Sequence, residues 1–404
     1  VNIPTTLLEV MFGIIFFVWI IKLNKETILN LKSKIINHKF FFIGSGLFLL
    51  GATISIFTSL DTRAALGEWK AFYIEPFILF IILITTIRTR DARNKILFML
   101  ILCGLATSVL AIYQHFTGWM VPWAFWENNN TFRVTGWYGF PNGLGLFLAP
   151  LVPLTIYLFI EQIKKLRQVK SIKFHPKGIS VPLKVKSFLI PSLLLLSTFT
   201  FILSTYFAKS TAGLVGITTG IGLLLLIYKK TRWITLAIGA ISLFGILSLS
   251  SFSGIKEELL FQDRSGQIRV SIYNETIEFL TDNPILGAGL ASYTERIAPY
   301  HTTVNSEGIE IFHHPHNLFL TIWVNTGLIG LIGFILLLVT SYKLLVTHQK
   351  QNILYFLAAS LTTLLVTGLV DSPYIKNDLA MLFWGILALL IISSYDKNLE
   401  NKKT

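Results

Sequence analysis

The sequence predicts an all-α protein, a polytopic integral membrane helix bundle with one long outer loop. Of its 404 residues, 53% are hydrophobic and only 14% charged, where a soluble domain carries roughly 25% charged residues. Mean hydropathy is +0.65. Apolar runs near the ~20 residues that cross a bilayer recur along the whole chain, and in hydrocarbon only helices or closed barrels satisfy the backbone. The alternating ten-residue pattern of an outer-membrane barrel does not occur. The single cysteine, Cys103, excludes an internal disulfide framework and any cysteine-based metal site.

Taken in order, spans are expected at 4–21, 40–60, 71–87, 94–116, 143–160, 187–206, 212–228, 233–250, 317–341, 352–371 and 378–395, eleven in all. Ala208-Lys209-Ser210-Thr211 then has to serve as a very short turn between two of them. Segment 4–21 carries Glu9 and lacks a small-residue cleavage site, so it does not read as a signal peptide. Because the chain starts at Val1, the full-length protein is expected to have about twelve spans. The expected organisation is N-terminal transmembrane helices over 1–250 and an extracytoplasmic loop over 251–316. C-terminal transmembrane helices with a cytoplasmic tail follow over 317–404.

The net charge of +13 suggests a nucleic-acid binder until the charges are mapped. Of 34 basic residues, 25 fall on alternate connections beginning with 22–39 and 88–95, together with only five acidic residues. That bias places this side, and the C-terminus, on the cytoplasmic face of the membrane. The charge is therefore a record of topology, and no nucleic-acid partner is expected.

The segment 251–316 is far longer than the other outer connections, as functional loops often are. Val270, Tyr273, Ile277 and Leu280 recur there at helical spacing, which predicts an amphipathic helix on the membrane surface. Asn283-Pro284 and Gly287-Ala288-Gly289 break it. Four of the eight histidines, His301, His313, His314 and His316, lie in this loop, the last three in Phe312-His313-His314-Pro315-His316-Asn317 directly before a span. As a zinc site the cluster lacks cysteine and the helical His/Glu spacing, so no metal is assigned. As a pH sensor it lacks an identifiable bistable element. As a general base, a neutral imidazole beside the bilayer takes a proton from a sugar hydroxyl. The plain alternative is a histidine that hydrogen-bonds the start of the next helix, although Asn317 is better suited to cap it.

Outer basic residues are few, and fixed positive charge at a membrane boundary holds a diphosphate, arginine through its bidentate fork. Arg133 opens Arg133-Val-Thr-Gly136-Trp-Tyr-Gly139-Phe-Pro141-Asn142-Gly143, Arg269 begins the amphipathic segment, and Lys209 sits in the short turn. These three are the candidates. Arg63, Lys70, Lys256, Arg264 and Lys376 read as snorkelling or surface-paired side chains.

Four stretches together resemble the O-antigen ligase and polymerase-like superfamily of polytopic membrane glycosyltransferases: Arg133-Val-Thr-Gly136…Pro141-Asn142; Ala208-Lys209-Ser210-Thr-Ala-Gly213; Arg269…Asn283-Pro284-Ile-Leu-Gly287-Ala-Gly289; and His314-Pro-His316-Asn317-Leu-Phe-Leu…Gly327-Leu-Ile-Gly330. They occur in order over roughly 130–335. The resemblance implies transfer of a glycan from an undecaprenyl-diphosphate carrier to a glycan, lipid or protein acceptor on the outer face. It implies that Arg133 and Arg269 bind the diphosphate, with Lys209 and Asn317 beside them. His316, helped by His314, would be the base. Where many members have Ser-Arg-Gly, this chain has Ala208-Lys209-Ser210, and lysine lacks the fork. The chemistry is expected to run without metal or other cofactor. Arginines stabilise the leaving diphosphate, and the outer loops contain no Asp-x-Asp pair of the kind that holds a divalent ion for nucleotide sugars. A repeat-unit polymerase of the same superfamily is one alternative. A transporter is another, but the helix interiors are almost charge-free apart from Glu9 and Glu75, and no internal repeat stands out.

Overall fold

A computed structural model describes residues 7–122, 126, 128, 132–171, 182–304, 308–347 and 352–394. Among them the regular secondary structure is helical, with no strands. In order the helices are α1 (Leu7–Ile21), α2 (Lys25–Asn37), α3 (Lys39–Phe57), α4 (Thr62–Thr86), α5 (Arg90–Thr117), α6 (Pro141–Leu148), α7 (Leu151–Ser171) and α8 (Pro182–Phe207). They continue with α9 (Thr211–Ile227), α10 (Arg232–Ser248), α11 (Ser253–Leu259), α12 (Arg264–Asp282), α13 (Tyr293–Ile297), α14 (Leu318–Thr347), α15 (Asn352–Thr367) and α16 (Asn377–Ser394).

Seven of these segments are long and apolar enough to cross a membrane, or nine if the bent pairs α1–α2 and α10–α12 each count as one. The chain is therefore a multi-pass membrane protein. Each of the eleven expected spans falls on a helix, but α9 and α15 have only 17 and 16 residues. At 1.5 Å per residue they reach about 25 Å, short of a ~30 Å hydrocarbon core. The connection 22–39 is mostly α2, whose first turn is capped by Asn24 accepting from the Thr27 amide. The expected span 352–371 stops at Thr367, because Gly368 and Pro373 do not continue a helix. That early stop takes Asp371 out of a helix and into a connection. The basic stretch 172–181 and the tail 395–404 lie outside the described residues.

The chain folds as two compact units. The first comprises Val1–Thr86, Leu225–His348 and Gly368–Ser394; the second comprises Ile87–Leu224, Gln349–Thr367 and Tyr395–Thr404.

In the first unit α3 lies against α14 with backbones almost touching. A Cβ on Gly51 would stand 2.5 Å from the Gly330 nitrogen, so only glycine permits the approach, as in small-residue helix pairs within membranes. Beside this contact sits an aromatic cluster of Phe48, Tyr73, Phe334, Tyr374 and Phe383. Helix α14 is kinked at Gly327, where φ is +66°, a left-handed conformation that glycine adopts without a Cβ penalty. The Asn283–Gly289 turn fills the break: Leu328 donates to the Ile285 carbonyl at 2.9 Å and Ala288 to the Val324 carbonyl at 2.7 Å. Phe279, Leu280, Ala288, Tyr293, Ile297 and Val324 form the buried core beneath it.

The expected amphipathic helix is α12, but its apolar face is divided. Val270 and Ile277 are exposed, as a membrane-surface face requires. Leu280 is buried in that core, and Tyr273 is hydrogen-bonded within the protein. In the second unit α8 packs on α5, α6 and α7. There Arg93 donates to the Tyr157 hydroxyl at 3.2 Å, and Arg90 pairs with Glu161.

Candidate functional site

The sequence candidates fall into two groups, one in each unit, and the four motifs pair off accordingly. In the second unit Arg133 joins the first motif to the second. Its Nε donates to the Ala208 carbonyl at 2.7 Å, and its Nη2 donates to Asn142 Oδ1 at 2.7 Å and to the Lys209 carbonyl at 3.1 Å. Its guanidinium also lies 5.2 Å from the centre of the Trp126 ring. Carbonyls at the end of α8 are short of partners, and a guanidinium is well placed to supply them. The turn needs that support because Lys209 is left-handed, with φ +48°. Gln114 braces the strand-like run beside Arg133: its Oε1 accepts from the Thr135 and Gly136 amides at 3.0 and 2.8 Å, and its Nε2 donates to the Gly136 carbonyl. Ser210 is buried, and its hydroxyl has no hydrogen-bond partner among the described residues.

In the first unit the third and fourth motifs meet around the connection from Gly368 to Ser372. Asn317 caps α14, its Oδ1 accepting from the Phe319 and Leu320 amides at 3.0 and 3.1 Å, and its Nδ2 donates to the Leu369 carbonyl at 3.0 Å. Both ends of this amide are engaged in holding backbone. The Tyr273 hydroxyl lies 3.0 Å from each of the Leu369 and His316 carbonyls, Arg269 Nε donates to the Val370 carbonyl at 3.0 Å, and Thr321 bonds Ser372 at 2.7 Å. Together these ties present the next side chain, Asp371, to His316.

The carboxylate of Asp371 is 2% exposed. Its Oδ1 accepts from the Ser372 amide at 2.8 Å and lies 3.4 Å from His316 Nδ1. Burial raises the pKa of Asp371, but the hydrogen bond with His316, the charges of His316 and His314 and the Ser372 amide outweigh it. The carboxyl is thereby held well below the usual carboxylate range. An anion facing Nδ1 fixes the imidazole tautomer with its proton on Nδ1 and its lone pair on Nε2. His316 is itself left-handed, with φ +49°, a strained geometry that clusters at functional sites.

His314 plays a different part. Packing around its ring and the neighbouring His316 outweigh the Asp371 carboxylate and push its pKa down to about 4. It is therefore neutral at pH 7. Its Nδ1 accepts from the His316 amide at 3.3 Å, and the two rings stand edge to face at 4.6 Å. Phe312 covers another side of His316, 4.8 Å between ring centres.

His301 lies apart from this group, in a second network. Glu275, 4% exposed on α12, accepts at Oε1 from the Ser271 hydroxyl and from the Thr302 amide and hydroxyl, while its Oε2 lies 3.1 Å from His301 Nδ1. His301 Nε2 lies 3.0 Å from the Ile309 carbonyl. The chain running toward His314 is thus tied to the helix that carries Arg269 and Tyr273.

Sequence reasoning selected His314, His316, Asn317 and Arg269, which are brought together, and Arg133 with Lys209, which are likewise brought together. It missed Asp371 and the role of Tyr273. A lone acid among apolar residues is expensive in a membrane protein, and with Gly368 and Pro373 on either side it was the available signal.

No curated protein matches the chain. Residues 196–335 match the family model Wzy_C, described as O-Antigen ligase. The matched segment contains Lys209, Arg269, the His314–Asn317 run and the Gly327 kink, so over these residues this multi-pass membrane protein is similar to the O-antigen ligase family.

Proposed function

We propose that the protein transfers a glycan from an undecaprenyl-diphosphate carrier to an acceptor hydroxyl on the outer face of the bacterial cytoplasmic membrane, with His316 as general base. The observation that carries this reading is the buried Asp371 carboxylate on Nδ1 of His316, which leaves Nε2 as a proton acceptor. Nε2 takes the proton of the acceptor hydroxyl as its oxygen bonds to the anomeric carbon. The bond from that carbon to the carrier breaks, and its electron pair goes to the departing diphosphate oxygen. The imidazolium that forms is stabilised by Asp371, and the charge on the leaving group by Arg269, whose fork has an Nη2 beyond the two nitrogens engaged with Val370 and Ser265. For Arg133 and Lys209, in the second unit, the family resemblance alone supports a role in binding the diphosphate-linked donor. Neutral His314 packs against the base and holds its backbone. No step requires a metal ion. The lysine and arginine bias supports a cytoplasmic C-terminus and an outer position for 251–316.

The test is transfer by protein reconstituted in proteoliposomes, from an undecaprenyl-diphosphate glycan labelled in the sugar. The expected result is label on a lipid, glycan or protein acceptor with release of undecaprenyl diphosphate. Movement of intact labelled carrier across the bilayer, with no new glycosidic bond to any of the three, would show a transporter instead.

A further inference from the structure

We infer that His314, His316 and Asp371 form a site for one divalent transition-metal ion, and that its occupation silences His316 as a base. One ring nitrogen of each imidazole and one carboxylate oxygen of Asp371 lie within 4.8 Å of one another. The pair His316 Nδ1 and Asp371 Oδ1 is 3.4 Å apart. That is long for a charge-assisted hydrogen bond, which settles at about 2.7–2.9 Å. It is close to the ~3.3–3.4 Å edge between two ligands each about 2.0–2.1 Å from a tetrahedral ion. Ligand atoms as far as 4.8 Å apart would have to draw together as the ion binds. The 3.3 Å contact from the His316 amide to His314 Nδ1 is the interaction an ion bound through that nitrogen would replace.

The donor set selects the ion. Two imidazoles and a carboxylate suit Zn²⁺, Co²⁺ or Ni²⁺, whereas Mg²⁺ and Ca²⁺ take oxygen ligands. Three protein ligands leave a fourth position for water. The site is already framed: Asp371 is buried and fixed by the Ser372 amide, and Arg269, Tyr273 and Asn317 hold the backbone on either side of it. The histidine spacing alone could not reveal it, because the third ligand comes from 55 residues further on.

Binding at Nδ1 displaces the proton between His316 and Asp371, and that proton moves to Nε2. The ring stays neutral and nothing is oxidised or reduced, but the lone pair that accepts the hydroxyl proton is gone. This second half of the inference rests on the glycosyl-transfer reading above; the binding itself does not.

The experiment titrates Co²⁺ into the full chain in lipid nanodiscs, purified without a polyhistidine tag and stripped with chelator. The expected result is one Co²⁺ per chain with visible d–d absorption, and at least tenfold weaker binding in Asp371→Asn and in His314→Gln. X-ray absorption of the wild-type Co²⁺ complex, which needs no variant, should report two imidazoles. Wild-type binding no tighter than in either folded variant, or a spectrum without imidazole, overturns the site. Saturating Zn²⁺ should lower transfer at least tenfold, reversibly on chelation; an unchanged or raised rate overturns the silencing. A preparation with no transfer at all counts against the glycosyl-transfer reading, and the Co²⁺ titration still decides the site.

Discussion

His316 and Lys209 occupy the same kind of backbone position in the two units. Each is a left-handed residue, φ +49° and +48°, and each stands two residues before a helix begins, at Leu318 and Thr211. Their surroundings are opposite. At the first turn an anion, Asp371, faces the imidazole, and the turn's carbonyl receives the Tyr273 hydroxyl. At the second turn a cation, Arg133, takes the carbonyls of Ala208 and Lys209 for itself. One turn sets an imidazole against a buried carboxylate, and the other sets a guanidinium against the carbonyls of a helix end. The contrast teaches that losses at the first turn should appear in rate, and losses at the second in stability as well.

The largest effect should come from Asp371→Asn. The amide is nearly isosteric but no longer imposes the tautomer that leaves Nε2 free, so transfer should fall by about 10²–10⁴ with little change in melting temperature. A rate near wild type, measured at matched folded protein, would remove Asp371 from the account.

The two arginines separate the turns next. Arg269→Ala should lower transfer by about 10²–10³, the cost of one donor to developing charge. Arg133→Ala should also cost stability, on the order of 2–4 kcal/mol, because it strips hydrogen bonds from two half-buried carbonyl oxygens and one exposed one. Denaturation in detergent beside initial rates checks both. The reverse pattern, with Arg269 destabilising and Arg133 silent in stability, would break the comparison.

Much of this arrangement was legible in sequence, for identifiable reasons. Spans follow from apolar length, which does not depend on packing. The four motifs were visible because glycine, proline and asparagine mark turns by local geometry. Their pairing was not: Arg133 meets Ala208 across 75 residues, and Tyr273 meets Leu369 across 96. Asp371 was read as part of a span because the run from 352 is apolar almost to it, and only the packed structure shows the helix ending at Thr367. Leu280 was assigned to the lipid face by its spacing, but the Asn283–Gly289 turn folds back and buries it.

Smaller effects sharpen the first turn. Glu275→Gln and His301→Ala should each lower transfer about tenfold or less by loosening the chain that leads to His314. The double variant should lose no more than the worse single one, since the two act as a single tie. Additive losses would mean that they act separately.

The smallest effect concerns acid. His314 has a folded pKa of about 4 against 6.5 for the free side chain, so between these values the unfolded chain binds the proton and the folded chain does not. Stability should fall as pH drops from about 6.5 to about 4 and level off below. His314→Gln should remove roughly 2–4 °C of that fall in melting temperature. An unchanged pH profile would show that His314 is not held neutral.

The most direct measurement is the initial rate of sugar transfer from labelled undecaprenyl-diphosphate glycan by wild type and His316→Ala, in proteoliposomes matched for folded protein. With Nε2 of His316 as the base, wild type forms product and His316→Ala forms none above background, with its melting temperature retained. Transfer by a folded His316→Ala variant within a few-fold of wild type would contradict the account.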